Sequence, residues 1–118
     1  MVIKMSTLDR KTAVAELLEC SVDDVVEGYG DNTFEVGSQE YRVLTDAEAD
    51  EALEEALDNI LDDVILPDLD EALQCYFDRD AWKRDASYDG RGHHLNYYDG
   101  VEDEVQVNGE WYYLYRTN

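Results

Sequence analysis

The sequence predicts a single small α+β domain with N-terminal helices, a long acidic central helix, and two β-hairpins able to join in one antiparallel sheet. Three observations carry this. Apolar residues recur at helical spacing from Asp46 to Leu66. Apolar and polar residues alternate on either side of Gly37-Ser38. They alternate again around Asn108-Gly109, a pair strongly favoured in two-residue hairpin turns. The 118 residues are enough for one ordinary domain, and no repeat or linker divides them, so the domain is 1–118. High charge with low hydrophobicity favours disorder. Here 44% of residues are apolar and 11% aromatic, enough to build a core. Looseness is expected only at residues 1–5.

Residues 7–19 predict the first helix. Ser6 stands where an N-cap would, Asp9 follows three residues on, and Val14, Leu17 and Leu18 share a face with Ala13 nearby. A short helix is expected from Val22 to Glu27, capped by Ser21 and ended by Gly28. Phe34 and Val36, then Tyr41 and Val43, form the arms of the first hairpin. Thr45 caps the central helix, whose inward residues are Ala49, Leu53, Ala56, Leu57, Ile60, Val64 and Ile65. Pro67 ends or bends it. Asp68 to Phe77 reads as another helix with Leu69, Ala72, Leu73 and Tyr76 inward. Asp78 caps one more through Ala86 that buries Ala81 and Trp82. Residues 87–100 read as a loop, and Val105 to Tyr115 as the second hairpin.

Thirty acids against nine bases give a formal charge of −21. Self-repulsion on that scale costs stability, and solubility needs a net charge of only about 2–8 in magnitude. DNA, RNA and anionic membranes are therefore disfavoured as direct partners, and a basic partner is favoured. A salt-loving host, a calcium-rich site or a simple solubilising shell would produce the same composition. Cys20 and Cys75 form no CxxC pair and are too few for a disulfide framework, which suits a reduced cytoplasmic setting. No run has the length of a signal peptide's apolar stretch or a membrane span.

From Val43 to Asp78 there are thirteen acids and no Lys or Arg. Ordinary exposed helices mix signs, because oppositely charged pairs one turn apart are stabilising. Asp46, Asp50, Glu54, Asp58 and Asp62 follow one another at intervals of four, each step rising about 6 Å. Such a row of carboxylates resembles a strand of phosphates, and the Lys and Arg groups that neutralise phosphates can meet it. The candidate partner-binding residues are Asp46, Asp50, Glu51, Glu54, Glu55, Asp58, Asp62, Asp63, Asp68, Asp70 and Glu71, joined by the aromatic anchors Tyr97 and Tyr98. A solvated helix face with no specific partner is the plain alternative.

Trp111, Tyr113 and Tyr115 fall on one strand face, and Tyr112 and Leu114 on the other, so one face is expected in the core. Asp89-Gly90-Arg91-Gly92-His93-His94 superficially looks like a metal loop. No EF-hand register fits from Asp85, Asp89 or Asp99, and two adjacent histidines without fixed partners are a weak zinc signal. No metal, cofactor or catalytic residue is predicted. No P-loop, GxSxG or nucleophile–base pair is present, and Cys75 reads as a packed thiol.

The segment Tyr-Phe-Asp-Arg-Asp-Ala-Trp-Lys-Arg-Asp-Ala at 76–86 resembles part of the ArdA-type antirestriction proteins, as does the aromatic strand Trp111 to Arg116. The first seventy residues depart from that family. The resemblance implies an acidic, often dimeric DNA mimic that blocks type I restriction enzymes. The whole chain is also similar in style to small accessory proteins of bacteriophages and mobile elements, anti-CRISPR proteins included. The expected function is thus a DNA-mimic inhibitor that occupies the basic nucleic-acid-binding surface of a host defence complex, a CRISPR effector or a restriction enzyme, and blocks DNA access. A homodimer is compatible with this. The alternative is an acidic interaction module for a basic host protein such as a nucleoid protein, and a small metal-binding protein comes third.

Overall fold

A computed structural model of the protein describes residues 2–118, with side chains from Thr7 onward. Helix α1 (Val2–Leu18) leads through a 3-10 turn (Val22–Asp24) to the strands β1 (Val26–Glu27), β2 (Thr33–Val36) and β3 (Gln39–Thr45). Helix α2 (Asp46–Ile60) continues as a π-helical turn (Leu61–Ile65) and a 3-10 turn (Leu66–Asp68). The helices α3 (Glu71–Gln74), α4 (Arg79–Ser87) and α5 (Arg91–Leu95) follow, then β4 (Asp103–Val107) and β5 (Glu110–Arg116). The two hairpins do form one antiparallel sheet, in the order β1-β2-β3-β5-β4. The join is β3 against β5, from Tyr41 opposite Arg116 to Thr45 opposite Tyr112.

Strand alternation explains the layering. Val43 and Leu44 are neighbours on β3 and face opposite ways, as do Leu114 and Tyr115 on β5. Val43, Leu114, Tyr112, Phe34 and Tyr41 pack with Ala13, Val14 and Ala15 of α1. Leu44 and Tyr115 pack with Ala49 and Ala52 of α2 and with Leu95 of α5. Both sheet faces are therefore core, with α1 on one side and α2 and α5 on the other. Full burial of a side chain such as Leu114 contributes about 1.5–3 kcal/mol. Asn108 and Gly109 both have positive φ, 52° and 83°, as the tight β4–β5 turn requires.

Several expectations need correction. Helix α1 begins at Val2, so Ser6 lies inside it rather than capping it; nothing in Val2–Met5 breaks a helix. Met1, part of the stretch expected to be loose, lies outside the described residues, and residues 2–5 have helical backbone. Ser21 does cap, its hydroxyl accepting from the Asp23 amide at 3.2 Å, but the short helix stops at Asp24 because Val26 and Glu27 pair with β2. The central helix loosens into π winding before Pro67, which lacks the N–H that α-helical bonding needs.

The segment after it departs furthest. No residue from Asp62 to Phe77 is buried. Val64, Leu73 and Tyr76, expected inward, are exposed, and so is Cys75. The helix expected over 68–77 shrinks to the single turn of α3. This arm is tied mainly to itself: the Gln74 amide donates to the carbonyls of Leu66 and Leu69 at 2.8 and 3.1 Å. Periodicity marked an apolar face, but the sheet does not extend beneath it. Ala81 and Trp82 are only half-buried. Conversely, α5 stands where a loop was expected. Among the described residues no helix is long and apolar enough to cross a membrane.

Thr45 caps α2 through a capping box: its hydroxyl accepts from the Glu48 amide at 3.3 Å, and Glu48 accepts from the Thr45 amide at 2.9 Å. Burial alone would push the Glu48 carboxyl up, but hydrogen bonds from Arg10 and Thr45 hold it below the ordinary range. A depressed carboxylate contributes stability that is complete above its unfolded value, about 4.3, and is lost as pH falls through its folded value. Acid denaturation followed by circular dichroism should therefore be flatter below about pH 4.3 for Glu48→Gln than for the native chain. Parallel curves would contradict this assignment.

Candidate functional site

The row of acids on α2 does not stand free. Helix α4 packs beside α2 and turns Arg79 and Lys83, one helical turn apart, towards the row. Arg79 pairs with Asp62 at 3.0 Å and Asp58 at 3.2 Å. Lys83 pairs with Asp58 at 2.9 Å and also with Glu54. From α5, Arg91 pairs with Asp50 at 3.0 Å and Asp46 at 2.9 Å. All five members of the row thus meet cations from the chain's own later helices. The hydrogen bond from Lys83, reinforced by Arg79, lowers the Asp58 carboxyl from its ordinary value. Lys83 is raised, chiefly by Glu54 and then Asp58, and Arg79 is raised chiefly by Asp62. The sequence signal was available in Arg79 and Lys83, whose four-residue spacing matches that of Glu54, Asp58 and Asp62.

Arg91 is as enclosed as Lys83 and far more so than Arg79. Its Nε donates to Glu102 at 2.7 Å, and its guanidinium lies 4.6 Å from the centre of the Tyr113 ring. Glu102 in turn accepts a hydrogen bond from the Tyr115 hydroxyl, and Tyr115 is wholly buried. Burial, and next the bond to Glu102, pushes the Tyr115 phenol far up, so it stays a neutral donor. Burial opposes the charge on Arg91, but Glu102 and Asp46 outweigh it and the group stays cationic. A continuous chain of polar contacts therefore runs from the sheet core at Tyr115, through Glu102 and Arg91, to the start of the acidic row.

The remaining candidates are different. Glu51, Glu55, Asp63, Asp68, Asp70 and Glu71 are exposed, and none has an ion-pair partner among the described residues. Glu51 and Glu55 lie one turn apart on α2. Glu55 shares a shallow groove with Tyr97, Arg42 and Asn59, so the fold does bring one predicted aromatic to the predicted acids. Tyr98 is drawn elsewhere, its ring 3.7 Å from the guanidinium of Arg116. The last acids lie on the arm after α2, in a stretch that also carries the exposed Val64, Leu73 and Tyr76.

The loop before β4 is held by Asn96, which is buried. Its side-chain oxygen accepts from the amides of Tyr98 and Asp99, both at 2.9 Å, and its amide donates to the Val101 carbonyl at 2.8 Å. Just before it, Asp89, His93 and His94 each place a donor atom within 4.8 Å of the other two. Spacing alone did not connect the aspartate to the histidines, since the turn at Gly90, with φ 91°, brings them together. No protein-family model, curated protein or solved structure matches the chain.

Proposed function

We propose that the protein is a DNA-mimic inhibitor that binds a basic nucleic-acid-binding surface, that of a CRISPR effector or restriction enzyme in the host cytoplasm, and keeps DNA out. The supporting observation is a set of six exposed carboxylates on neighbouring segments, none with an ion-pair partner among the described residues: Glu51 and Glu55 on α2, then Asp63, Asp68, Asp70 and Glu71 on the arm. The paired row serves mainly to dock α4 and α5 on α2, with its outer oxygens adding to the negative field. The chain's surplus charge would speed encounter with a basic partner and make binding salt-dependent.

The same surface supports a second reading, an acidic module for a basic host protein such as a nucleoid protein. The exposed Val64, Leu73 and Tyr76 favour it, because a strand of phosphates has no counterpart to them.

The test is competition. The full chain should release a labelled duplex from its target complex in a fluorescence-anisotropy assay. Reversing Glu51, Glu55 and Asp63 to Lys should weaken that competition by about a hundredfold. Circular dichroism should remain native, because none of the three has an ion-pair partner among the described residues. Unchanged competition, or a stable complex holding both DNA and the protein, would overturn the mimic reading. Capture of a nucleoid protein at the same residues would support the second.

A further inference from the structure

We propose that Asp89, His93 and His94 form an open three-ligand site for a zinc-class divalent cation. These are the only two histidines in the chain, and both lie beside the same carboxylate. Two imidazoles and a carboxylate are a donor set that suits zinc, which takes three protein ligands and a water in open sites. The three donor atoms lie within 4.8 Å of one another, whereas donors sharing a tetrahedral zinc at about 2.1 Å are about 3.4 Å apart. Closing the site therefore asks for a shift of at most about 1.4 Å, within reach of a rotamer adjustment by Asp89 and His93, which are exposed.

His94 is the fixed member. Its Nε2 lies 3.1 Å from the Ala86 carbonyl oxygen. A carbonyl can only accept, so this nitrogen carries the proton and Nδ1 keeps its lone pair. A backbone carbonyl holding the far nitrogen is the usual outer support of a metal-bound histidine, because it sets both tautomer and ring orientation. Asp89 is left available: its carboxylate has no ion-pair partner among the described residues. The His93 and His94 rings meet edge to face, with centroids 4.9 Å apart, so their planes already diverge.

The scaffold is firm where it needs to be. Gly92 is buried against the backbone of Gly100 to Glu102, and Arg91 is anchored to Glu102, Asp46 and Asp50. Helix α5 is thus fixed just before the histidines, and Leu95 is buried just after them. A cation at this site would join the end of α4, through Asp89, to α5. Those two helices carry Arg79, Lys83 and Arg91, so metal binding would tighten the clamp on the acidic row. The net negative charge of the chain would also raise the local cation concentration.

Calorimetry on the untagged full chain tests this, titrating zinc alone and calcium alone. One zinc per chain is expected, with a rise in melting temperature of about 5 °C at saturating metal. Both His93→Ala and Asp89→Asn should weaken zinc binding at least about tenfold. Because both side chains are exposed, each variant should melt with the native chain in the presence of a chelator. Nitrogen-15 shifts of the imidazoles should report coordination in the native chain and lose it in His93→Ala. No zinc binding, zinc binding that survives His93→Ala unchanged, or equal binding of zinc and calcium would each overturn the proposal. The last would mean only general attraction to carboxylates.

Discussion

Replacing Arg10 with alanine is expected to lower the melting temperature by about 10 °C. Arg10 is only 7% exposed, and its guanidinium joins three elements. It donates to the Val43 carbonyl on β3 at 2.6 Å, and to both oxygens of Glu48 on α2 at 2.8 and 3.2 Å. It also lies 5.5 Å from the centre of the Tyr112 ring on β5. Removing one partner of an enclosed pair costs about 3–5 kcal/mol, because the other is left poorly solvated. Glu48 retains 36% side-chain exposure, so the lower end of that range applies. Arg10→Lys should recover little, since an ammonium cannot reproduce the two-pronged contact. Arg10→Ala combined with Glu48→Gln should cost less than the two changes added together. Thermal melts by circular dichroism measure all three, and a loss below about 2 °C for Arg10→Ala would contradict the role assigned to it.

Arg10 also shows what the sequence made legible and what it did not. Local signals were read correctly where the chain satisfies itself over a few residues. The Asn108-Gly109 turn, the Thr45 and Asp78 caps and the two hairpins are of this kind. The interaction that joins α1 to α2 spans 38 residues, and no local pattern marks it. The acidic row failed differently. Within α2 it has no basic neighbour, as its spacing indicated, but the fold supplies three from α4 and α5. Charge counted along the chain is therefore a poor guide to charge displayed by the surface. Glu51 and Glu55 became the more promising candidates only once Asp50, Glu54 and Asp58 were seen to be occupied. Helical periodicity misled at Leu73 and Tyr76, because it reports an apolar stripe without showing whether anything lies opposite it.

The acidic row consequently has two levels of importance that mutation can separate. Asp58 contacts both Lys83 and Arg79, so reversing its charge would set three cations together and loosen α4 from α2. Reversing Glu51 would leave every observed ion pair in place. A variant series that reversed the whole row at once would confuse loss of partner binding with loss of the helix arrangement. Substitution of the unpaired acids avoids that confusion.

Gly92→Ala is expected to cost about 2 kcal/mol and to disturb α5 more than the rest of the fold. A methyl group there would lie 2.5 Å from the Gly100 carbonyl oxygen and 2.8 Å from the Glu102 amide nitrogen. Both are backbone atoms, so no side chain can turn aside, and α5 or the strand lead-in must move. Alanine's better helix propensity, about 1 kcal/mol over glycine, offsets only part of that strain in so short a helix. Displacing α5 would lengthen the contacts from Arg91 to Glu102, Asp46 and Asp50, and would move His93 and His94 away from Asp89. Gly28→Ala is the informative comparison. Its added methyl would lie 2.7 Å from the Thr33 hydroxyl, the end of a side chain that can rotate, and a smaller loss is expected. Equal melting temperatures for the two variants would show that α5 is not held by the close approach of Gly92. A selective loss in Gly92→Ala, with hydrogen exchange rising first at residues 91–95, would show that one absent side chain holds the helix that anchors the acidic row to the sheet core.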